Sequence, residues 1–291
     1  MNFEIVGGSV VGYDHVRRGQ AFLGANNQDA HAIARDPMVI VGVVCDGCGS
    51  QPRSELGAAF TANIVVDRVL GGVLYSDPGR GLWETIESDV YRDLYKLGQL
   101  YKKWPIDCLL TTILGFIILE EETTLFYVGD GYFGVNGLVE RIESPIENTP
   151  PYFAYQFLRP TDEADDDFVD ALGPRPYSFQ VRTWPTAEVR SIFVATDGLR
   201  DLIANEGGPL PSLRSQRVPS VPDLLDDDTI YLNPFRLGNR LTAMNDEGLT
   251  LASGRARRVP GLLLDDTTIV VARMVTETDT SDSRGQDGSQ D

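Results

Sequence analysis

Cysteine is scarce in this chain: Cys45, Cys48 and Cys108 are the only three in 291 residues. Three thiols build no disulfide framework, and such usage fits a reducing compartment, so a cytoplasmic protein is expected. Histidine is scarcer still, with only two, which leaves no imidazole cluster for zinc. Basic residues are outnumbered, 25 Lys and Arg against 43 Asp and Glu, for a net charge of −18. That balance argues against nucleic acid or an anionic membrane surface as the principal partner. Apolar runs such as IVGVV and LLTTILGFIIL stop short of the roughly 20 residues needed to cross a bilayer. Residues 1–10 (MNFEIVGGSV) have no basic n-region and no cleavage-type ending, so no export signal is expected.

What the chain does have is apolar runs that end in Asp-Gly. VGVVCDG carries Asp46, TLFYVGDG carries Asp130 and SIFVATDG carries Asp197, while GLLLDDTTIVVA places Asp265 and Asp266 before a β-branched stretch. Apolar β-branched runs read as buried strands. An Asp-Gly at a strand end sets a carboxylate and a permissive backbone at the mouth of a sheet. Carboxylates gathered from several strand ends repel one another and are commonly reconciled by a shared hard cation. For any single pair, a plain turn explains Asp-Gly equally well.

The pattern along the chain predicts strands at 2–6 and 38–45, then a helix over SELGAAFTANIVVDRVL ending at Gly71-Gly72. A second helix fits LWETIESDVYRDLYKLGQLYKK. LLTTILGFIILE and TTLFYVGD read as a hairpin, with YFGVNG and LVERIE completing one meander. Residues 143–176 are Pro-rich and acidic, which predicts an irregular insertion or lid. SFQVRTW, VRSIFVAT and TTIVVARMV are strands, LRDLIA is a short helix, and PFRLGNRLTAMND is helical within an otherwise loop-like 205–262. Antiparallel runs with clustered helices imply an α+β sandwich over residues 1–275, not a doubly wound sheet. The acidic tail, 276–291, is expected to be disordered.

In order, the stations NQDA (Asn27 to Ala30), VVCDGCGS (Val43 to Ser50), SELGA (Ser54 to Ala58), Thr111-Thr112, VGDG (Val128 to Gly131), TDGLRD (Thr196 to Asp201) and DDTTIVVA (Asp265 to Ala272) resemble the metal-dependent type 2C protein phosphatases. GGSVVGYDHVRRG ahead of NQDA is similar to the compact bacterial branch of that family. The resemblance implies a four-layer αββα sandwich, two antiparallel sheets flanked by helices. It implies two Mg²⁺ or Mn²⁺ ions bridged by Asp46 and ligated by the Gly47 carbonyl, Asp197 and Asp265. A third, weaker ion would fall to Asp107 and Asp201. Asp29 would orient metal-bound water, and Asp130 would be structural support. The implied reaction is hydrolysis of phosphoserine and phosphothreonine on proteins by direct in-line attack of a metal-activated hydroxide. No Cys-x5-Arg loop supports a cysteinyl-phosphate route and no DxDxT supports an aspartyl nucleophile. A phosphorylated protein substrate and a cognate Ser/Thr kinase would be the partners of a monomeric enzyme.

Several residues depart from the family pattern. Cys48 and Ser50 stand where DGHGG would place His and Gly, and Gly24 stands where a phosphate-binding Arg would precede NQDA. His15, Arg17 and Arg18 are the candidates to supply a proton or a phosphate contact, with His15 favoured as the acid. LLDDDTIYL (Leu224 to Leu232) duplicates the last motif; Asp265 is preferred because a β-branched strand follows it, and Asp226 is the alternative. GDGYFG fits a dinucleotide pattern, but a strand rather than a helix is expected next. Two rival functions stay open: a catalytically weak module that senses or binds a partner, and a phosphatase of small metabolites.

Overall fold

The computed structural model describes residues 2–16, 26–51, 53–75, 81–100, 106–144, 150–157, 177–252 and 255–275. In chain order the elements are β1 (Phe3–Val10), β2 (Asp29–Arg35), β3 (Ile40–Asp46), α1 (Ser54–Tyr75), α2 (Leu82–Leu100), β4 (Ile113–Ile118), β5 (Glu122–Val128), β6 (Gly131–Val135) and β7 (Leu138–Ile142). They continue with β8 (Gln180–Pro185), β9 (Ser191–Ala195), α3 (Leu199–Ala204), α4 (Val221–Leu225), α5 (Arg236–Met244), β10 (Gly248–Ala252), β11 (Arg255–Val259) and β12 (Thr267–Met274). Two five-stranded antiparallel sheets result, one ordered β1-β12-β9-β6-β7 and the other β2-β3-β4-β5-β8.

Alternating side chains stack these sheets into four layers. Along β3, Val41, Val43 and Cys45 face one core with Ala58, Ala62, Val65 and Val69 of α1 and Ile86 and Val90 of α2. Ile40 and Val44 face the opposite way, meeting Val194 of β9 and Val270 of β12 between the sheets. The outer face of the first sheet, through Val271, Ile269 and Ala195, packs against Leu199, Leu202, Leu237 and Leu241. Central strands buried on both faces read as continuous Val/Ile runs because no position is left for a polar side chain.

The sandwich class is as the resemblance implied, but four local expectations change. Helix α1 continues through Gly71-Gly72 to Tyr75, because a helix packed along a core tolerates two glycines. Strand β2 (DAHAIAR) was not foreseen; only its first residue is fully buried, so its alternation is weak. The expected single meander is split: β4 and β5 lie in one sheet, β6 and β7 in the other. The chain crosses between sheets at Gly129-Asp130-Gly131, where the two glycines hold φ of 111° and 144° that a side chain would resist. The fourth change is the β10–β11 hairpin, a small sheet of its own within a segment read as loop.

Among the described residues, α1 is long and apolar enough by composition to cross a membrane, contrary to the run-length reading. Its apolar face is instead buried on the second sheet.

Candidate active site

Asp46 ends β3, and its backbone is fixed by the threonine pair ahead of β4. Thr111 Oγ1 and Thr112 N donate to the Asp46 carbonyl at 2.8 and 2.9 Å, and Asp46 N donates to Thr112 Oγ1 at 3.1 Å. Gly47 N donates to the Gln28 carbonyl at 3.1 Å, and a Cβ at Gly47 would fall 2.7 Å from that same oxygen. The backbone beside Asp46 is therefore open only because residue 47 has no side chain.

Asp46 from the second sheet, and Asp197 and Asp265 from the ends of β9 and the approach to β12 in the first, line one cavity of about 230 Å³. Asp130, at the crossover, and Asp266 line it too, together with His15, Gly47, Cys48 and Tyr152. Among the described residues no Lys or Arg lines it. Burial, followed by the charges of Asp29, Asp197, Asp265 and Asp130, pushes the Asp46 carboxyl well above the usual range. Burial and then Asp265 and Asp130 raise Asp197 to about 6. Burial also lifts Asp130. Arg200 and Arg141 offset only part of this repulsion at Asp197, and carboxylates so concentrated suit a hard divalent cation with oxygen ligands. Among the described residues no three Asp, Glu, His or Cys side chains lie in the tight grouping that ligates an ion outright; the acids share a cavity, not a point.

Asp266 has a role that no motif announced. It is 3% exposed, and its carboxylate accepts from Gly12 N and Gln28 N, each at 2.6 Å. His15 Nδ1 lies 3.0 Å from Asp266 Oδ1, while its Nε2 lies 3.7 Å from Asp265 Oδ1. One buried carboxylate thus ties the start of β12 to the segments before and after the 17–25 stretch, and it lies within ion-pair distance of the His15 ring, whose Nδ1 has no hydrogen-bond geometry toward it. The signal available beforehand was only the doubling of Asp at 265–266.

The remaining candidates fall in different places. Asp29 faces Asp46 across the β2–β3 register, is nearly buried, and accepts from Thr196 Oγ1 at 2.6 Å. Asp29 is pushed well above the usual range by burial, then by Asp266 and Asp197, against the Thr196 and Thr268 hydrogen bonds that lower it. Asp201, on α3, accepts from Leu264 N at 2.7 Å and Asp265 N at 3.4 Å, bracing the loop that carries Asp265. Asp107 lies in the 3₁₀ turn Ile106–Leu109, and its side chain is outside the described residues, as are Arg17, Arg18 and Gly24. Asp226 caps α4 and lines a different cavity with Arg190, Arg273 and Asn136. GDGYFG enters strand β6, not a helix. Cys45 is buried in the core, whereas Cys48 reaches the cavity and places its Sγ 3.3 Å from Ser50 Oγ. Tyr152 and Pro150, from the segment expected to be a lid, line the cavity; nothing in their Pro-rich surroundings marked them.

A family model described as protein phosphatase 2C matches residues 11–221, most of the chain. The chain belongs to the protein phosphatase 2C family. No match is found among curated proteins. Solved structures with a similar fold include a sex-determining protein of C. elegans, at 14% identity and TM-score 0.54, covering 96% of this chain and 66% of that one. PppA, a key regulatory component of the T6SS in Pseudomonas aeruginosa, is similar at 13% identity and TM-score 0.50, covering 94% of this chain and 99% of that one. A bacterial serine phosphatase is similar at 15% identity and TM-score 0.50, with the same coverages of 94% and 99%. The chain spans just under two thirds of the length of the C. elegans protein. At 13–15% identity these likenesses establish the fold.

Proposed function

We propose that this chain is a Mg²⁺- or Mn²⁺-dependent phosphatase that hydrolyses phosphoserine and phosphothreonine on proteins. The observation that carries the reading is that Asp46, Asp197 and Asp265, from strand ends of two different sheets, line one cavity. Asp46, the Gly47 carbonyl, Asp197 and Asp265 would hold two ions, with Asp107 and Asp201 toward a third. Bound divalent ions would supply a polarised water nucleophile and charge neutralisation at the phosphoryl oxygens.

The chain's own groups have separable tasks. Thr111 and Thr112 hold the Asp46 backbone, so its carboxylate projects from a fixed point. The Asp266 carboxylate, 3.0 Å from His15 Nδ1, favours a protonated imidazole by its charge, and His15 at the cavity wall would carry a proton toward the departing serine or threonine oxygen. Asp29, buried and held by Thr196, pairs with Asp46 across β2–β3 and is absent from the described cavity wall, so its part would be to fix Asp46 and add to the local negative charge. Tyr152 and Pro150 cover one wall and exclude solvent.

Hydrolysis of p-nitrophenyl phosphate with Mn²⁺, with EDTA, and by the Asp46→Ala and Asp265→Ala variants tests the reading. Turnover should require the ion and vanish in both variants. Metal-independent turnover, or unimpaired variants, would refute it. Phosphopeptides compared with small phosphorylated metabolites then decide the substrate class.

A further inference from the structure

The β10–β11 hairpin differs in charge from the rest of the molecule. Residues 248–259 (GLTLASGRARRV) hold three arginines and no acid, in a chain of net charge −18. The register pairs Ala252 with Arg255, Thr250 with Arg257 and Leu249 with Arg258. Alternation along β11 therefore puts Arg255 and Arg257 on one face and Arg258 on the other. All three are exposed. Arg258 is engaged, its Nη1 donating to Glu247 Oε2 at 3.0 Å; among the described residues Arg255 and Arg257 form no ion pair. The ribbon belongs to neither large sheet.

Its base is hydrogen-bonded to segments that lead into the acidic cavity. Glu247, which holds Arg258, also accepts from Tyr13 Oη at 2.6 Å, and Tyr13 is two residues from His15. Asn245, just before the hairpin, donates from Nδ2 to the Val11 carbonyl at 2.9 Å and accepts from Leu263 N at 2.9 Å. Beyond the hairpin the chain reaches Asp265 within six residues of Val259, passing through the buried Leu262 and Leu263. The base of β10 is thus tied to residues 11–13, just ahead of His15, and β11 leads into the loop that carries Asp265.

We infer that the Arg255–Arg257 face docks an acidic segment flanking the phosphorylated residue of a protein substrate. This rests on the phosphatase reading above and names the substrate class for the same site. A phosphorylated, acidic segment approaching a protein of this net charge is repelled at long range, so productive encounter is helped by a local cationic surface on the same molecule. Arg255 and Arg257, which form no ion pair among the described residues, supply it, and each guanidinium can make bidentate carboxylate or phosphate contacts.

The test uses the full chain with Mn²⁺ and three substrates: a phosphoserine peptide flanked by Glu and Asp, the same peptide flanked by Lys, and p-nitrophenyl phosphate. The wild type should prefer the acidic peptide. Arg255→Glu/Arg257→Glu should cut kcat/KM for that peptide, relative to p-nitrophenyl phosphate, by about tenfold and abolish the salt dependence of the preference. The milder Arg255→Gln/Arg257→Gln variant should move the same way. An unchanged ratio, a parallel fall on all three substrates, or no acidic preference in the wild type would overturn the inference. If no substrate turns over, the phosphatase reading fails instead, and fluorescence anisotropy of the labelled acidic phosphopeptide decides docking. Binding that the double variant loses supports the ribbon as its site. No binding by the wild type, or tighter binding of a labelled single-stranded oligonucleotide of equal charge, counts against it.

Discussion

Thr112 and Asp46 are locked by a reciprocal pair of hydrogen bonds, Thr112 N to the Asp46 carbonyl at 2.9 Å and Asp46 N to Thr112 Oγ1 at 3.1 Å. Thr112 is 1% exposed, so neither bond is shared with bulk water. Thr112→Val keeps the shape and removes the acceptor, leaving a buried N–H unpaired at a cost of about 1–3 kcal/mol. Denaturant midpoints should fall accordingly, and Mn²⁺ affinity by calorimetry should weaken. Thr112→Ser should restore both.

Asp266 should behave as a structural carboxylate. Asp266→Ala strips the acceptor from two backbone N–H groups at once and should lower stability by about 2–4 kcal/mol in urea titrations. A loss below about 0.5 kcal/mol would show that these bonds are replaced by water.

His15 gives a prediction that depends on the leaving group. A serine alkoxide needs a proton as it departs, whereas p-nitrophenolate does not. His15→Gln should therefore reduce kcat for a phosphoserine peptide by about a hundredfold while reducing p-nitrophenyl phosphate turnover far less. Equal losses on both substrates would assign His15 to holding Asp265 and Asp266 in place.

The acids of the cavity set a pH trend in the ion-free protein. Asp197 is raised from 3.8 to about 6, and Asp46 is also raised, in each case first by burial and then by neighbouring carboxylates. A group raised on folding contributes stability that is complete below its unfolded value and lost as pH climbs through the folded one. The melting temperature in EDTA should thus decline between about pH 4 and pH 7. Millimolar Mn²⁺ should raise it at pH 7 through mass action on the folded state. A flat EDTA profile with no Mn²⁺ response would contradict the electrostatics.

Gly57 offers a packing test. A Cβ there would fall 1.6 Å from the Cys108 carbonyl, a backbone atom that cannot swing aside. Gly57→Ala should cost more than about 3 kcal/mol, or prevent folding, despite alanine's better helix propensity. A melting temperature at or above that of the wild type would mean that α1 can slide away from the 106–109 turn.

The parts of the fold legible in the sequence were those with one dominant physical cause. β3, β9 and β12 are buried on both faces, so burial wrote a continuous Val/Ile signature. β2 and β11 lack that signature, β2 because it is half exposed and β11 because it is arginine-rich and solvated. The crossover at Asp130 was hidden for a different reason: a hairpin turn and a passage between sheets both ask for glycine. In the site, Asp46, Asp197 and Asp265 reach one cavity from the stations that named them, and His15, offered to fill a departure from the pattern, joins them. Asp130, set aside as support, reaches it as well. Tyr152 could not be read, since a residue contributed by an irregular segment follows no periodicity.

The split of the candidate ligands between the two sheets has a kinetic consequence. Asp46 belongs to the sheet of β2–β5 and β8, whereas Asp197 and Asp265 border the sheet of β1, β6, β7, β9 and β12. A partly folded chain with a single completed sheet holds only part of that carboxylate set. β1 pairs with β12 from opposite ends of the chain, a closure among the most sequence-distant in the molecule. An ion captured only after the two sheets meet would act as a latch on the finished sandwich. It would leave the folding rate nearly unchanged and appear in the unfolding rate, lengthening the lifetime of the native state in proportion to ion occupancy.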